Sequence, residues 1–169
     1  LRRSFNSFTW SLGVNYSAGA WIWKANIGKS FRVPIPKELG ADGVNYHIFR
    51  YEKGEAGLSP EESYQFDAGI YWHNEALDIR LDSYVNYFPN YIYLNPTSAY
   101  TEGLQTYYYT QSRVIRYGVE ADIRYRFLRR LEAVVKGEYL YAEQLSGNKK
   151  GYTLPFSPPW SADVELKYT

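Results

Sequence analysis

Few residues in this chain have the means for chemistry, and one loop holds most of them. His47 stands between Tyr46 and Ile48, with Arg50, Tyr51 and Glu52 just beyond. A neutral imidazole suits zinc, copper or iron, so His47 is a candidate metal ligand. The plainer alternative is a solvated or packed loop histidine. One histidine does not make a site, and no His-x-x-His or Glu-x-x-His spacing accompanies it. His73, the other histidine, adjoins Asn74 in what reads as a short structural turn. Asp78 and Asp82 are spaced for paired acid–base work, but a charge ladder on one face of a strand explains them without chemistry. Arg124, Arg126, Arg129 and Arg130 could hold a phosphate. Pairing of the first two with carboxylates, and a wet turn for the last two, is the simpler reading. No nucleophile elbow or Gly-rich phosphate loop is present. Cys is 0, which excludes thiol chemistry, disulfides and Cys-type zinc sites. The net charge of +1 gives no bulk attraction to nucleic acid. The sequence therefore predicts no catalytic residue, no resident cofactor and no nucleic-acid partner, but a loop with binding potential.

That loop must be carried by something, and the carrier is written in aromatic residues. Across residues 62–73, Tyr64, Phe66, Ala68, Ile70 and Trp72 fall on one face. Ser63, Gln65, Asp67, Gly69 and Tyr71 fall on the other. Successive strand side chains point to opposite faces, so this is a strand with one apolar and one polar side. The pattern recurs in about eight segments, near residues 4–16, 20–31, 62–73, 76–88, 104–111, 114–127, 131–143 and 160–168. In the sixth, Tyr117, Val119, Ala121, Ile123, Tyr125 and Phe127 oppose Arg116, Glu120, Asp122, Arg124 and Arg126. The two segments around residues 111–113 lack a clear turn between them, so one long strand projecting beyond a bilayer is the alternative there.

A soluble domain buries its apolar faces against a second layer, whereas a membrane barrel shows them to lipid. The segments run to roughly 9–14 residues, against about 5–6 for soluble strands and 9–11 for tilted membrane strands. The connections also alternate, short at residues 17–19, 73–75 and 128–130 and long at 32–61, 89–103 and 144–159. Short turns on one side and long loops on the other are an outer-membrane pattern. The mean hydropathy of −0.49 does not oppose this, because barrel strands expose only alternate residues to lipid. Eight strands closed alone leave an interior just filled by side chains. The many charges on the polar faces therefore favour an arc of a wide barrel, with a small autonomous barrel as the alternative. An outer-membrane barrel enzyme of lipase or protease type would need His47 or His73 beside a Ser or Asp. A soluble sugar-binding β-sandwich would need shorter strands and a second apolar layer.

The 32–61 loop and its flanks carry Phe31-Arg32-x-Pro34, Glu38-Leu39, a Gly-rich stretch, Tyr51-Glu52-x-Gly54, then Leu58-x-Pro60-Glu61-x-Ser63. This order and spacing resembles the barrel signature of TonB-dependent outer-membrane receptors. Asn90-Tyr91-Ile92-Tyr93-Leu94, Tyr117-Gly118-Val119-Glu120-Ala121 and Leu154-Pro155-Phe156 support the resemblance, which covers nearly the whole chain. The nearest likeness is to metal and metal-chelate receptors, in which a histidine often sits in this loop. The resemblance implies an all-β, antiparallel transmembrane segment of a 22-stranded barrel. Residues 1–169 would form one partial barrel domain, with the plug, the TonB box and the remaining strands outside it. It implies import of a scarce nutrient, a metal ion, siderophore or other metal chelate, into the periplasm. The implied partners are the TonB-ExbB-ExbD system, reached through an N-terminal part, the receptor's own plug, and outer-membrane lipid and lipopolysaccharide. The opening LRRSF and the absence of Met predict a processed form or a piece of a longer chain.

Overall fold

In the computed structural model, which describes residues 4–154 and 159–168, nine strands form one sheet. They are β1 (Trp10–Ala18), β2 (Trp21–Arg32), β3 (Asp42–Asn45), β4 (Arg50–Lys53), β5 (Glu61–His73), β6 (Leu77–Thr101), β7 (Leu104–Leu128), β8 (Leu131–Gln144) and β9 (Trp160–Tyr168). A short helix, α1 (Pro36–Gly40), precedes β3. Of the stretch Leu154-Pro155-Phe156, Pro155 and Phe156 lie outside the described residues, as do the first three residues of the chain.

Seven strands make a meander in which every neighbour is antiparallel, in the order β1-β2-β5-β6-β7-β8-β9. Residues opposite one another across an antiparallel pair share a face, so the register tests the alternation directly. The row Leu12–Ile27–Phe66–Val85–Tyr117–Tyr141 crosses six strands on the apolar side. The next rung on the other side runs Asn26–Asp67–Tyr84–Gly118–Leu140. Both faces are solvent-open in the isolated sheet; Leu12, Val164 and Leu166 are each about 70% exposed. No second layer covers the apolar face among the described residues, and β1 and β9 each pair on one side only, so the arc is not closed. A sheet that leaves so much apolar surface uncovered is built for an apolar solvent.

Aromatic residues gather at the two ends of the apolar face. Trp21 stacks on Trp23 with centroids 5.7 Å apart and leans on Trp72 at 6.2 Å. Tyr117 meets Tyr141 at 5.3 Å toward the other end. Beyond the latter belt the apolar face stops: Lys29 Nζ and Glu62 Oε1 form an ion pair at 2.8 Å. The polar face is a ladder of charge. Tyr71 donates to Asp82 at 2.5 Å, and Lys24 and Arg80 lie over its ring at 4.7 and 5.2 Å. Arg126 pairs with Asp78 and, with Arg124, approaches Glu132 at 3.6 Å. Pairing with carboxylates is thus what the two sheet arginines do.

Besides the first segment, expected near residues 4–16 and found at Trp10–Ala18, the strand list differs from the sequence expectation in three places. The expected fifth and sixth segments are one 25-residue strand, β7, so the single-strand alternative holds. Residues 89–103, expected as a loop, belong mostly to β6, also 25 residues. Pro89 and Pro96 there punctuate a sequence that still pairs. Pro89 falls inside a bulge between Phe88 and Tyr91, and above Tyr87 one edge of β6 has no strand beside it, so a missing donor costs little. The turn Glu102–Gly103 has φ 53° and 76°, the left-handed pair that tight hairpins require. Third, the 32–61 loop contains α1, β3 and β4. At about 3.3 Å per residue, β6 and β7 reach about 80 Å, far more than a hydrocarbon core of about 30 Å.

Candidate functional site

Above the apolar band the sheet changes partners. β8 pairs with β7 only up to Val114, opposite Gln144. Higher up, β4 takes its place, running parallel to β7 with Tyr51 opposite Thr106 and Lys53 opposite Tyr108. β3 then pairs antiparallel to β4. The result is a four-stranded crown, β6-β7-β4-β3, continuous with the wall.

The loop that carries β3 and β4 must cross β6 and β7 to reach this edge, and alternation along β7 tells which side it takes. Odd residues from Ile115 to Tyr125 lie on the apolar face, and higher odd residues continue it. Gln111 accepts from Ser59 N at 3.0 Å and donates to Ser59 O at 2.8 Å and Asn90 O at 3.1 Å. The loop therefore crosses on the outer side. Residues 145–154 fold onto the opposite side: Leu154 packs with Phe88, Val114 and Ala142, while Ser146 accepts from Arg113 N and Lys149 donates to Pro96 O. The β6–β7 hairpin is thus held between two loops.

Two ion clusters fasten the outer loop. At its base, Arg32 donates to both oxygens of Glu38 at 3.0 and 2.8 Å and to Glu61 at 3.1 Å. Glu38 also accepts from Ile35 N, and Glu61 from Ile92 N, each within 3.0 Å. Asn90, in the β6 bulge, donates to Pro60 O and accepts from Glu62 N. At its middle, Glu52 is 2% exposed. It accepts from Arg50 at 2.7 Å and Asn45 at 3.0 Å, with Lys37 Nζ 2.6 Å away. Burial pushes this carboxyl up, but Lys37, Arg50 and Asn45 outweigh it and hold it below the ordinary carboxylate range. Glu52 in turn holds Lys37 above its usual value. Tyr51 donates to Asp42 at 2.9 Å, which raises the phenol's pKa.

The motif residues fall into place around these clusters. A Cβ on Gly54 would stand 2.6 Å from the backbone nitrogens of Gly40 and Ala41 and 2.8 Å from the carbonyl carbon of Leu39, so only glycine lets β4 approach α1. Leu58 and Pro34 are buried, Phe31 pairs opposite Glu62, and Ser63 opposite Ser30. Leu39 closes α1, donating its backbone N–H to Ile35 O.

The structure divides the binding candidates in two. Arg50, Tyr51 and Glu52 are turned into the crown and engaged there; Arg50 also lies 4.9 Å over the Tyr107 ring. Tyr46 and His47 are exposed at the β3–β4 tip, where the backbone N–H of His47 donates to the side-chain oxygen of Asn45. Beside them are Ile48 and Phe49, exposed by 53% and 71%. Phe49 has φ 49°, a left-handed conformation that costs a bulky side chain about 1–2 kcal/mol. No group of three or more His, Asp or Glu side chains that could hold a metal ion occurs among the described residues. His47 alone makes no metal centre. Lys37, Asn90 and Gln111 as fasteners were not legible from sequence, because each acts through contacts to residues distant in the chain.

A family model described as TonB dependent receptor-like, beta-barrel matches residues 1–169. No curated protein matches the chain. Among solved structures, it is similar to the copper transporter OprC (TM-score 0.77, 18% identity, 94% of this chain and 23% of that one). It is also similar to the siderophore receptor PirA from Pseudomonas aeruginosa (TM-score 0.72, 15% identity, 95% and 30%). A third is the ferric enterobactin receptor PfeA from Pseudomonas aeruginosa (TM-score 0.67, 18% identity, 95% and 25%). The chain thus spans between 23% and 30% of the length of these structures, and identities this low establish likeness of fold.

Proposed function

Because the chain belongs to the TonB-dependent receptor β-barrel family and forms part of an outer-membrane barrel wall, we propose that it is the wall and part of the mouth of a receptor importing a scarce nutrient into the periplasm. The nutrient is a metal ion, a siderophore or another metal chelate. The observation that carries this is the crown: a two-faced sheet suited to lipid is prolonged, on its long-loop side only, into an ordered sheet with an exposed tip. A wall whose only task was to span the membrane has no use for the 25-residue strands β6 and β7 or for two ion clusters above the apolar band.

In this reading the apolar face meets lipid and the polar ladder faces a wide lumen. That lumen holds the receptor's own plug, encoded elsewhere in the same protein, and TonB-ExbB-ExbD drives its rearrangement. Tyr46 and His47 contact the arriving nutrient; Arg50, Tyr51 and Glu52 support them. His47 meets the nutrient's metal or a polar group of its chelate, as one contact among several.

The experiment is uptake of copper, zinc and ferric chelates by the source bacterium, with the complete gene intact, with it deleted, and with TonB removed. Uptake of one of the three should fall in both mutants. Unchanged uptake of all three would contradict the proposal.

A further inference from the structure

The β3–β4 tip does not stand alone. Tyr51 is opposite Thr106, so Arg50 stands level with Gln105, which is itself opposite Tyr100 on β6. Two strand spacings, about 10 Å, therefore separate β4 from β6 at the summit. Tyr100 is 71% exposed and flanks the turn at Glu102–Gly103, whose backbone is left-handed like that of Phe49. Two hairpins from different parts of the chain thus raise exposed aromatic groups at one height: Tyr46 and Phe49 on one, Tyr100 on the other.

β3 and β4 are only 4 residues each, and three rungs join β4 to β7. So short an attachment is marginal unless something else fixes it. Arg32 is what fixes it at the base. It is the last residue of β2, so it belongs to the wall, and it grips Glu38 of α1 and Glu61 of β5 together. Glu38 O in turn accepts from Glu55 N, and Ala41 O from Gly54 N, which ties β4's exit to α1. A planar guanidinium can serve two carboxylates at once, which an ammonium does less well.

We infer that Arg32 is a positioning residue for nutrient capture, holding the β3–β4 hairpin against β7 so that Tyr46, Phe49 and Tyr100 form one capture surface shared by two hairpins. This rests on the receptor reading above, but its geometric core is testable without any nutrient. The full-length receptor, purified folded in detergent, receives spin labels at Ile48→Cys and Ser98→Cys, and the label-to-label distance is measured by pulsed electron resonance. The parent should give one narrow distance peak. Arg32→Gln should lose that peak to a broad distribution, while Arg32→Lys should regain a substantial part of it. Heat-modifiable gel mobility reports the barrel's own integrity and should be the same in all three. If Arg32→Gln fails to fold, Glu38→Gln, which keeps the Arg32–Glu61 pair, should broaden the peak in a folded barrel. A narrow peak retained in folded Arg32→Gln or Glu38→Gln would overturn the inference. So would an Arg32→Lys receptor as broad as Arg32→Gln. Unchanged uptake in the TonB test would leave these distances unaffected, so the two ideas fail separately.

Discussion

The wall and the crown are made of the same strands, yet they are stabilised in opposite ways. In the wall almost nothing is buried: among the described residues, Val134 is the one large hydrophobic side chain of the wall that the sheet itself covers. Its strands are ordered by two different surroundings, lipid on one side and a wet lumen on the other. Above the apolar band the buried residues crowd together: Leu58, Phe88, Ile92, Thr106, Val114, Gln144 and Leu154, with Glu38, Glu52 and Glu61 among them. The crown is held as a soluble protein is, by buried side chains and ion pairs, on the end of a membrane sheet. It follows that damage to the wall should depend on which face is changed, and damage to the crown on which contact is lost.

The sharpest contrast is expected at mid-wall. Leu81 stands opposite Ala121 and Ile70 on the apolar face. Leu81→Arg should cost about 2–4 kcal/mol in a lipid-embedded, full-length receptor, because a cation at the bilayer midplane has no water. Asp122→Asn, a rung away on the polar face, should change stability by less than about 0.5 kcal/mol. Urea unfolding in vesicles measures both.

The crown should respond to charge loss instead. Glu52→Gln removes charge-assisted bonds in a buried place and should loosen the hairpin by about 1.5–3 kcal/mol, seen as faster amide exchange in β3 and β4 with the wall unchanged. Since Glu52 is held below its unfolded value, its contribution is complete above about pH 4.3 and is lost as pH falls through the lower, folded value. Acid should therefore loosen the β3–β4 hairpin, and in Glu52→Gln that acid step should be missing.

Next in size is Gly54→Ala. Its methyl group meets backbone rather than a yielding side chain, so separation of β4 from α1, at about 1–3 kcal/mol, should appear as new protease cleavage between residues 40 and 60. The smallest effect on stability belongs to His47→Ala, at an exposed tip. It should leave exchange and unfolding unchanged and alter only uptake of the imported nutrient.

Legibility in the sequence divides along the same boundary. β5, β8 and β9 were readable to within a residue, because alternating surroundings write alternating residue types. The crown was not. α1, β3 and β4 are too short for any period to emerge. The upper part of β6 is interrupted by Pro89 and Pro96, which read as loop signals and are accommodated by a bulge and an open edge. The binding candidates share this divide. Nothing local separates Tyr46 and His47 from Arg50, Tyr51 and Glu52; only the pairing of β4 with β7 turns the second group inward. The motif around Arg32, Glu38, Gly54 and Glu61 was visible as a resemblance, but its physical role as a fastening is a matter of contacts up to 31 residues apart.

The central claim is that one face of the wall meets lipid and the other meets water. It is tested most directly by single cysteines placed in turn at residues 63–72 of β5 in the full-length receptor, since this stretch has no cysteine of its own. Each would be exposed in native membranes to a charged thiol reagent and, separately, to a lipid-dissolved one. The account predicts strict alternation: the odd positions from Ser63 to Tyr71 react with the charged reagent, the even positions from Tyr64 to Trp72 with the lipid-dissolved one. Reactivity without a period of two, or with the two phases exchanged, would contradict it.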